Sequence, residues 1–206
     1  MKFETQRLKS FRPTPLSHNI HNAGARDSAV IIPIFEKNGR DLILLTRRSP
    51  HLKSHPGQIS FPGGVVEKGE SFQDTARREW EEELGSSSDT LEIISEFQPM
   101  HTFTGFIIHP IIARYRGDSS FSPNENEVSE ILEFDPEDFY SKRFFAIHHR
   151  KLDGEFVYYL DIDHLLWGAT CHILVKFLRE FADFRRMPKI VEPNLTHPPF
   201  LDISKL

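Results

Sequence analysis

GVVEKGESFQDTARREWEEELG, at residues 64–85, is the segment that decides the fold of this chain. Its second part predicts an α-helix over residues 71–84. Ser71 and Asp74 have the spacing of a capping box, and Gly85 suits a left-handed helix end. On a helix of 3.6 residues per turn the apolar side chains form one stripe, made of Phe72, Ala76, Trp80 and Leu84. Such a stripe indicates a helix that packs one face against a core.

Three carboxylates lie beside that stripe. Glu79, Glu82 and Glu83 fall within an arc of about 100° on the helix, whereas Glu81 points elsewhere. Like charges at this spacing repel each other by a few tenths of a kcal/mol per pair. A divalent cation removes the conflict, and hard carboxylate oxygens suit Mg²⁺ or Mn²⁺. The alternative for a bare run of glutamates is a solvated acidic face.

The flanking residues favour the metal interpretation. The segment resembles the Nudix box, Gly-x5-Glu-x7-Arg-Glu-U-x-Glu-Glu-x-Gly-U, in which U is a bulky aliphatic residue. All fixed positions are filled, by Gly64, Glu70, Arg78, Glu79, Glu82, Glu83 and Gly85. Only the U positions depart from the pattern, because Trp80 is larger than usual and Ser86 is polar. The resemblance implies a metal-dependent hydrolase that cleaves a pyrophosphate linkage in a nucleoside diphosphate compound.

The resemblance also implies roles for individual residues. Metal binding is expected of Glu79, Glu82, Glu83 and, through its carbonyl oxygen, Gly64. A structural role within the motif is expected of Gly63, Glu70, Arg78 and Gly85, with Glu70 and Arg78 paired to each other. The general base can lie in the box or on a later loop, so three candidates stay open, namely Glu127, Glu79 and Glu82.

Strand patterns surround the motif. Two buried strands, residues 29–35 and 41–46, flank a hairpin turn at Asn38-Gly39. Further strands are predicted at 57–61, 90–98, 106–116, 127–134, 143–149 and 155–161, and a second helix at 164–184. This order predicts an α/β fold, a Nudix-type α/β/α sandwich with a mixed β-sheet. The expected organisation is an N-terminal arm (1–27), a Nudix hydrolase domain (28–187) and a C-terminal tail (188–206).

The stretch before the box bears on the substrate. LLTRRSPHLKSHPGQISFPGG, residues 44–64, resembles the signature of the coenzyme A pyrophosphatase subfamily, Leu-Leu-Thr-x-Arg-Ser-x3-Arg-x3-Gly-x3-Phe-Pro-Gly-Gly. Lys53 stands where that signature has Arg. Arg48, Lys53 and His55 form a basic cluster that could hold the 3′-phosphate or adenosine end of coenzyme A. The expected products are 3′,5′-ADP and 4′-phosphopantetheine, or acyl-phosphopantetheine from thioesters.

Two other functions remain open at this point. One alternative is another Nudix pyrophosphatase, acting on ADP-ribose, dinucleotides or nucleotide sugars. Two departures from the subfamily signature favour it, namely Lys53 and the loop from Glu67 to Glu70, where the subfamily more often has Asp. A Nudix domain that only senses or binds a ligand is the alternative of another class. It usually shows a damaged box, whereas the glutamates here are intact.

Composition narrows the partners and the compartment. The chain has 206 residues, a net charge of −5, one cysteine and no apolar stretch near 20 residues. We therefore expect a small nucleotide as substrate, with no nucleic acid or membrane partner. Ser204-Lys205-Leu206 matches a peroxisomal address, so the expected location is peroxisomal in a eukaryote and cytoplasmic in a bacterium. Similar proteins are commonly dimers, so the oligomeric state can be a homodimer or a monomer.

Overall fold

The structure is a computed structural model that describes residues 1–16, 24–102, 104–118, 120–148 and 156–191. The chain folds into two compact units, Met1–Asp135 and Pro136–Leu206. The boundary falls inside the segment 28–187 that the sequence predicts as one domain. The predicted turn at Asp153-Gly154 and the tripeptide Ser204-Lys205-Leu206 lie outside the described residues.

A mixed sheet forms the framework of the first unit. Its central hairpin joins β1 (Arg26–Lys37) to β2 (Arg40–Arg48) through Asn38 and Gly39, whose positive φ angles of 51° and 76° fit a type I′ turn. The other strands are β3 (Ile59–Ser60), β4 (Gly63–Val65), β5 (Leu91–Glu96), β6 (Met100–His101), β7 (Phe106–Tyr115) and β8 (Val128–Phe134). These eight strands, counted over the described residues of the unit, have the path β3-β2-β1-β7-β5. Beside this path, β4 pairs with β1, β6 with β7 and β8 with β2. Because β1 and β7 are parallel and the other pairs antiparallel, the predicted mixed sheet is confirmed.

The predicted first helix is present as α2 (Phe72–Leu84). Ser71 and Asp74 form a complete capping box, and Gly85 ends the helix with φ 60° and ψ 26°. The apolar stripe meets the sheet as predicted, since Ala76, Trp80 and Leu84 are fully buried in one core cluster. A short 3-10 helix, Ser88–Thr90, then leads into β5. The helix is therefore fixed by its caps and by one buried face, which leaves the glutamates on its flank.

The start of the chain is more ordered than a polar arm. It contains a short helix, α1 (Thr5–Ser10), and both Phe3 and Leu8 are buried. The carboxylate of Asp41, on β2, accepts hydrogen bonds from the backbone N–H of Phe3 at 2.7 Å and from Arg114 at 2.8 Å. The first residues are thereby attached to the sheet. Two isolated apolar residues in a polar stretch do not predict this attachment, because their burial depends on where the sheet lies.

The second unit is a small sheet with a helix. Its elements are α3 (Asp138–Ser141), β9 (Arg143–His148), β10 (Phe156–Asp161), β11 (Leu165–Trp167), α4 (Gly168–Phe181) and β12 (Lys189–Val191). Over its described residues the strand order is β11-β10-β9-β12. The helix predicted at 164–184 begins later, because Leu165–Trp167 pairs with β10 instead. Part of the predicted tail, Lys189–Val191, joins the sheet parallel to β9.

Candidate metal centre

The two glycines of β4 bring the strand close to its neighbours. A Cβ atom on Gly63 would collide with the carbonyl oxygen of Ala29 and with Val30 of β1. A Cβ atom on Gly64 would collide with the carboxylate of Glu79 on α2. The absence of both side chains therefore lets the β4 backbone lie directly against one of the predicted metal ligands.

Glu70 and Arg78 form the ion pair that the motif predicts. Nε and Nη2 of Arg78 donate to the two carboxylate oxygens of Glu70 at 2.8 and 3.2 Å, and Nη2 also donates to the carbonyl of Val65 at 3.2 Å. Glu70 further accepts from the hydroxyl of Thr75 and from the backbone N–H of Glu67. The pairing with Arg78, followed by these other hydrogen bonds, lowers the pKa of Glu70 to about 2. The pair connects the loop before α2 to the body of the helix.

The same guanidinium reaches the glutamates of the helix flank. Nη1 of Arg78 lies 2.7 Å from Oε1 of Glu79 and 3.1 Å from Oε2 of Glu82. Glu79 is mostly buried, with 14% of its side chain exposed, whereas 55% of the Glu82 side chain is exposed. Arg78 thus compensates part of the negative charge, and Glu82 stays open to solvent.

Glu83 is the most buried of the three carboxylates. It is 3% exposed, and Oε2 accepts a long hydrogen bond from the backbone N–H of Gly63 at 3.3 Å. Burial, followed by the neighbouring charge of Glu79, raises the pKa of Glu83 to about 8. Burial also raises the pKa of Glu79, although Arg78 acts in the opposite direction. Two adjacent buried carboxylates that resist ionisation are an environment in which a bound cation is strongly favoured.

Glu127 belongs to the same electrostatic site. Its charge raises the pKa of both Glu79 and Glu83. Its backbone N–H donates to the carbonyl of Asn124 at 2.8 Å, and the N–H of Asn124 donates to the carbonyl of Glu83 at 3.0 Å. Its Oε1 accepts a hydrogen bond from the side-chain amide of Asn124 at 3.1 Å. The structure therefore brings Glu127 together with the box residues. The contact with Asn124 is one that no sequence motif predicts.

The predicted basic cluster divides into two parts. Arg48 ends β2 at a β-bulge, and its positive charge lowers the pKa of Glu83. Its Nε is buried, and no acceptor in the described ranges hydrogen bonds to it. Lys53 and His55 are exposed on the loop between β2 and β3, and no ion pair within the described chain joins them to the glutamates.

The chemistry of these donors fits a divalent cation. Buried carboxylate oxygens crowd together beside a backbone that Gly64 keeps free of a side chain, and hard oxygen donors are what Mg²⁺ and Mn²⁺ prefer. Among the residues with described side chains, no three His, Cys, Asp or Glu groups are already drawn into a ligand cluster. Arg78 contacts one oxygen of Glu79 and one of Glu82, so the second oxygen of each carboxylate can still bind a metal.

Comparisons with known proteins identify the family. A family model described as the NUDIX domain matches residues 25–155. The chain is 30% identical over 186 residues to an uncharacterized Nudix hydrolase, NudL, of Pectobacterium atrosepticum, covering 88% of this chain and 92% of the relative. It is 29% identical over 197 residues to mitochondrial Nudix hydrolase 15 of Arabidopsis thaliana, covering 89% and 68% respectively. The chain belongs to the Nudix family, and its predicted class of enzyme, a Nudix hydrolase acting on phosphorus-containing anhydrides, is confirmed.

Solved structures agree on the fold. The Nudix hydrolase RenU from M. smegmatis superposes with a TM-score of 0.55 at 16% identity, covering 81% of this chain and 91% of that one. A Nudix hydrolase from Nitrosomonas europaea gives a TM-score of 0.50 at 17% identity, covering 84% and 81%. The predicted Nudix-type α/β fold is therefore confirmed. In the described part of the chain no helix has the length and apolarity needed to cross a membrane.

Proposed function

We propose that this enzyme hydrolyses the pyrophosphate linkage of coenzyme A or its thioesters, giving 3′,5′-ADP and 4′-phosphopantetheine or its acyl form. The observation that carries the proposal is the position of Arg48. The charge of Arg48 acts on Glu83, and its buried Nε has no partner among the described groups. Arg48 stands where the coenzyme A pyrophosphatase signature has its first arginine. A substrate phosphate would supply the missing acceptor.

The metal ligands in this proposal are Glu79, Glu82, Glu83 and the carbonyl oxygen of Gly64. A bound Mg²⁺ or Mn²⁺ would neutralise diphosphate charge and orient a water for in-line attack. The backbone of β4 stays close to the site because neither glycine carries a side chain. Arg78 holds Glu79 and Glu82 on the helix flank through one oxygen of each carboxylate. The residues thus provide oxygen donors on two elements, the helix and β4.

Glu127 is the general base in this proposal, with Glu79 and Glu82 as the alternatives inside the box. Both alternatives are hydrogen bonded to the charged guanidinium of Arg78. Glu127 comes from a separate loop and receives a hydrogen bond on one oxygen from the neutral amide of Asn124. Its other oxygen can take a proton from the attacking water, and general bases of this kind contribute about 10²- to 10⁴-fold.

The phosphate contacts are assigned to Arg48 first, and to Lys53 and His55 on the adjoining loop. Arg48 is tied to that loop by backbone hydrogen bonds with Gln58 at 2.9 Å and Gly57 at 3.2 Å. A phosphate held by Arg48 would therefore lie within reach of a loop that carries two further basic side chains. Lys53 offers a point charge in place of the forked donors of arginine, so its contact would be less directional.

The test is a substrate panel measured with Mg²⁺ and then with Mn²⁺. Coenzyme A, 3′-dephospho-coenzyme A, ADP-ribose and NADH are compared for wild type, with Glu82→Gln as the inactive control. We expect coenzyme A to be preferred over the dephospho form. Arg48→Ala should lower kcat/KM for coenzyme A about 10- to 100-fold. Arg48→Lys, which keeps the charge without the fork, should recover only part of that loss.

The panel also decides the competing substrate class. If ADP-ribose or NADH is cleaved faster than coenzyme A, and Glu82→Gln is inactive, the substrate assignment is wrong while the hydrolase chemistry stands. The observation that favours this second class is that Lys53 is exposed and, within the described chain, forms no ion pair with the box glutamates. Equal rates for coenzyme A and its dephospho form would remove the role given to the basic cluster.

A further inference from the structure

Asn124 fastens the loop that carries Glu127. Its backbone carbonyl accepts hydrogen bonds from the N–H groups of Glu127 and Val128, both at 2.8 Å. Its side-chain oxygen accepts from the N–H of Asn126 at 3.2 Å, while its side-chain nitrogen donates to Glu127. The two contacts of the amide fix its orientation, because exchanging oxygen and nitrogen would place donor against donor at Asn126.

Asn124 is also attached to α2, the helix that carries the box glutamates. The backbone N–H of Asn124 donates to the carbonyl of Glu83 at 3.0 Å, and the N–H of Ser122 donates to the carbonyl of Leu84 at 2.9 Å. Gly85 allows this approach, since a Cβ atom there would collide with the carbonyl oxygen of Ser122. Asn124 therefore connects the end of α2, where Glu83 lies, to the carboxylate of Glu127.

The other side of Glu127 is also held. Its carbonyl accepts a hydrogen bond from the N–H of Ser49 at 2.8 Å, next to Arg48. The backbone of Glu127 is thus fixed between α2 and the end of β2, and the remaining freedom is the rotation of its side chain. The amide of Asn124 restricts that rotation by holding Oε1 at 3.1 Å.

We propose that Asn124 is a positioning residue that aims the Glu127 carboxylate at the metal centre through its side-chain amide. The proposal rests on the base role given to Glu127 above. An amide is suited to this task because it donates without charge, which holds the carboxylate but leaves it able to accept a proton. An Asp at this position would keep the shape and the acceptor for Asn126 but would repel Glu127.

Asn124→Asp is the variant that tests the contact, and Asn126→Asp is its matched control. Both add one negative charge to the same loop, but Asn126 is exposed and uses only its backbone N–H in this network. With the panel substrate that wild type cleaves fastest, we expect Asn124→Asp to lower kcat about tenfold or more while KM changes little. Asn126→Asp should keep kcat within about twofold of wild type.

A double-mutant cycle with Glu127→Gln separates positioning from general damage. Residues that act as one unit have strongly non-additive effects, so Asn124→Asp should cost less than about twofold further in the Glu127→Gln background. Thermal melting of each variant confirms that it is folded. Asn124→Ser, which removes the contact with Glu127 without adding charge, should give an intermediate loss of kcat and guards against a fold defect of the Asp variant.

Several outcomes would overturn the assignment of Asn124. An equal loss of kcat in both backgrounds would mean that Asn124 acts other than through Glu127. If Glu127→Gln has the kcat of wild type, Glu127 is not the general base and Asn124 has no base to position. The substrate preference measured with the panel would still stand. If the panel shows that ADP-ribose is preferred over coenzyme A, the double-mutant cycle still tests Asn124, because it is measured with the substrate that wild type cleaves fastest. A wild type that cleaves none of the panel would overturn both proposals.

Discussion

Arg78 holds Glu70 with two parallel hydrogen bonds, from Nε at 2.8 Å and from Nη2 at 3.2 Å. This forked pair joins residues eight apart in sequence and fixes how the loop enters α2. Because only a guanidinium has donors in this arrangement, lysine at position 78 would lose both the fork and the contact with the carbonyl of Val65.

The first prediction concerns the pH dependence of that pair. Since the pKa of Glu70 is lowered to about 2 in the folded protein, its contribution to stability is complete above the ordinary value near 4.3 and is lost as the pH falls towards 2. We expect Glu70→Gln to lower the melting temperature by roughly 1–3 °C at pH 6–7. The difference in melting temperature between Glu70→Gln and wild type should become smaller between pH 4.5 and pH 3, as measured by thermal unfolding.

Glu67→Gln is the matched control for this experiment. Glu67 is exposed in the same loop, and its backbone N–H rather than its side chain contacts Glu70. Its melting temperature should follow wild type across the pH range. If the melting temperature of Glu70→Gln stays equally far below that of wild type at pH 3, the ion pair is not the source of the difference.

The second prediction concerns Glu83 in metal-free protein. A carboxyl whose folded pKa is raised to about 8 stabilises the fold fully below its unfolded value near 4.3, and that stabilisation is lost as the pH rises through 8. We expect metal-free wild type to lose free energy of unfolding, on the order of 2 kcal/mol, between pH 5 and pH 8. Glu83→Gln, which stays neutral, should show a flatter profile in urea unfolding.

Metal and a neighbouring variant provide the controls. Added Mg²⁺ should restore the stability of wild type at pH 8 and have little effect on Glu83→Gln, because that variant lacks one of the proposed metal ligands. Glu82→Gln should keep the wild-type pH profile in the absence of metal, since the Glu82 side chain is 55% exposed. A flat profile for metal-free wild type would contradict the buried, protonated state of Glu83.

The third prediction separates activity from stability at Gly64. A methyl group there would push against the carboxylate of Glu79, the end of a side chain that can move away. We expect Gly64→Ala to melt close to wild type but to lose at least about tenfold in kcat/KM, because Glu79, a proposed metal ligand, would be displaced. Gly39→Ala, in the positive-φ hairpin turn with open space around it, should show the reverse pattern. Equal activity of Gly64→Ala and wild type would exclude Glu79 from the metal site.

The helix, the hairpin and the ion pair were predictable because their signals are local. Ser71, Asp74 and Gly85 mark the ends of α2, and Asn38-Gly39 marks a turn whose φ angles few other residues adopt. The approach of Glu127 to Glu79 and Glu83 could only be proposed, because it depends on where a distant loop returns. The amide of Asn124 has no sequence signal at all, since Asn in a polar loop is ordinary composition.

Strand pairing in the second unit shows the limit of periodicity. Leu165–Trp167 continues the apolar pattern of the helix, so the sequence predicts helix there, yet these residues pair with β10. Only the partner strand distinguishes the two states of such a short apolar run. In the same way β12 depends on β9, a strand far earlier in the chain, which no local pattern specifies.

The last prediction tests the attachment of the N-terminal residues. The Asp41 side chain has no exposed surface, and although burial opposes its ionisation, the hydrogen bonds from Arg114 and Phe3 lower its pKa. Arg114 also donates to the carbonyl of Phe3 at 2.9 Å, so one buried pair holds both the N–H and the carbonyl of that residue. Asp41→Asn would leave the guanidinium of Arg114 without its counter-charge, and we expect urea unfolding to show a loss of about 2–4 kcal/mol. Lys2→Ala, which removes a half-exposed partner of the same carboxylate, should leave the urea midpoint close to that of wild type. Similar losses in the two variants would mean that Asp41 acts as an ordinary surface charge, and that Phe3 and Leu8 hold the N-terminus by burial alone.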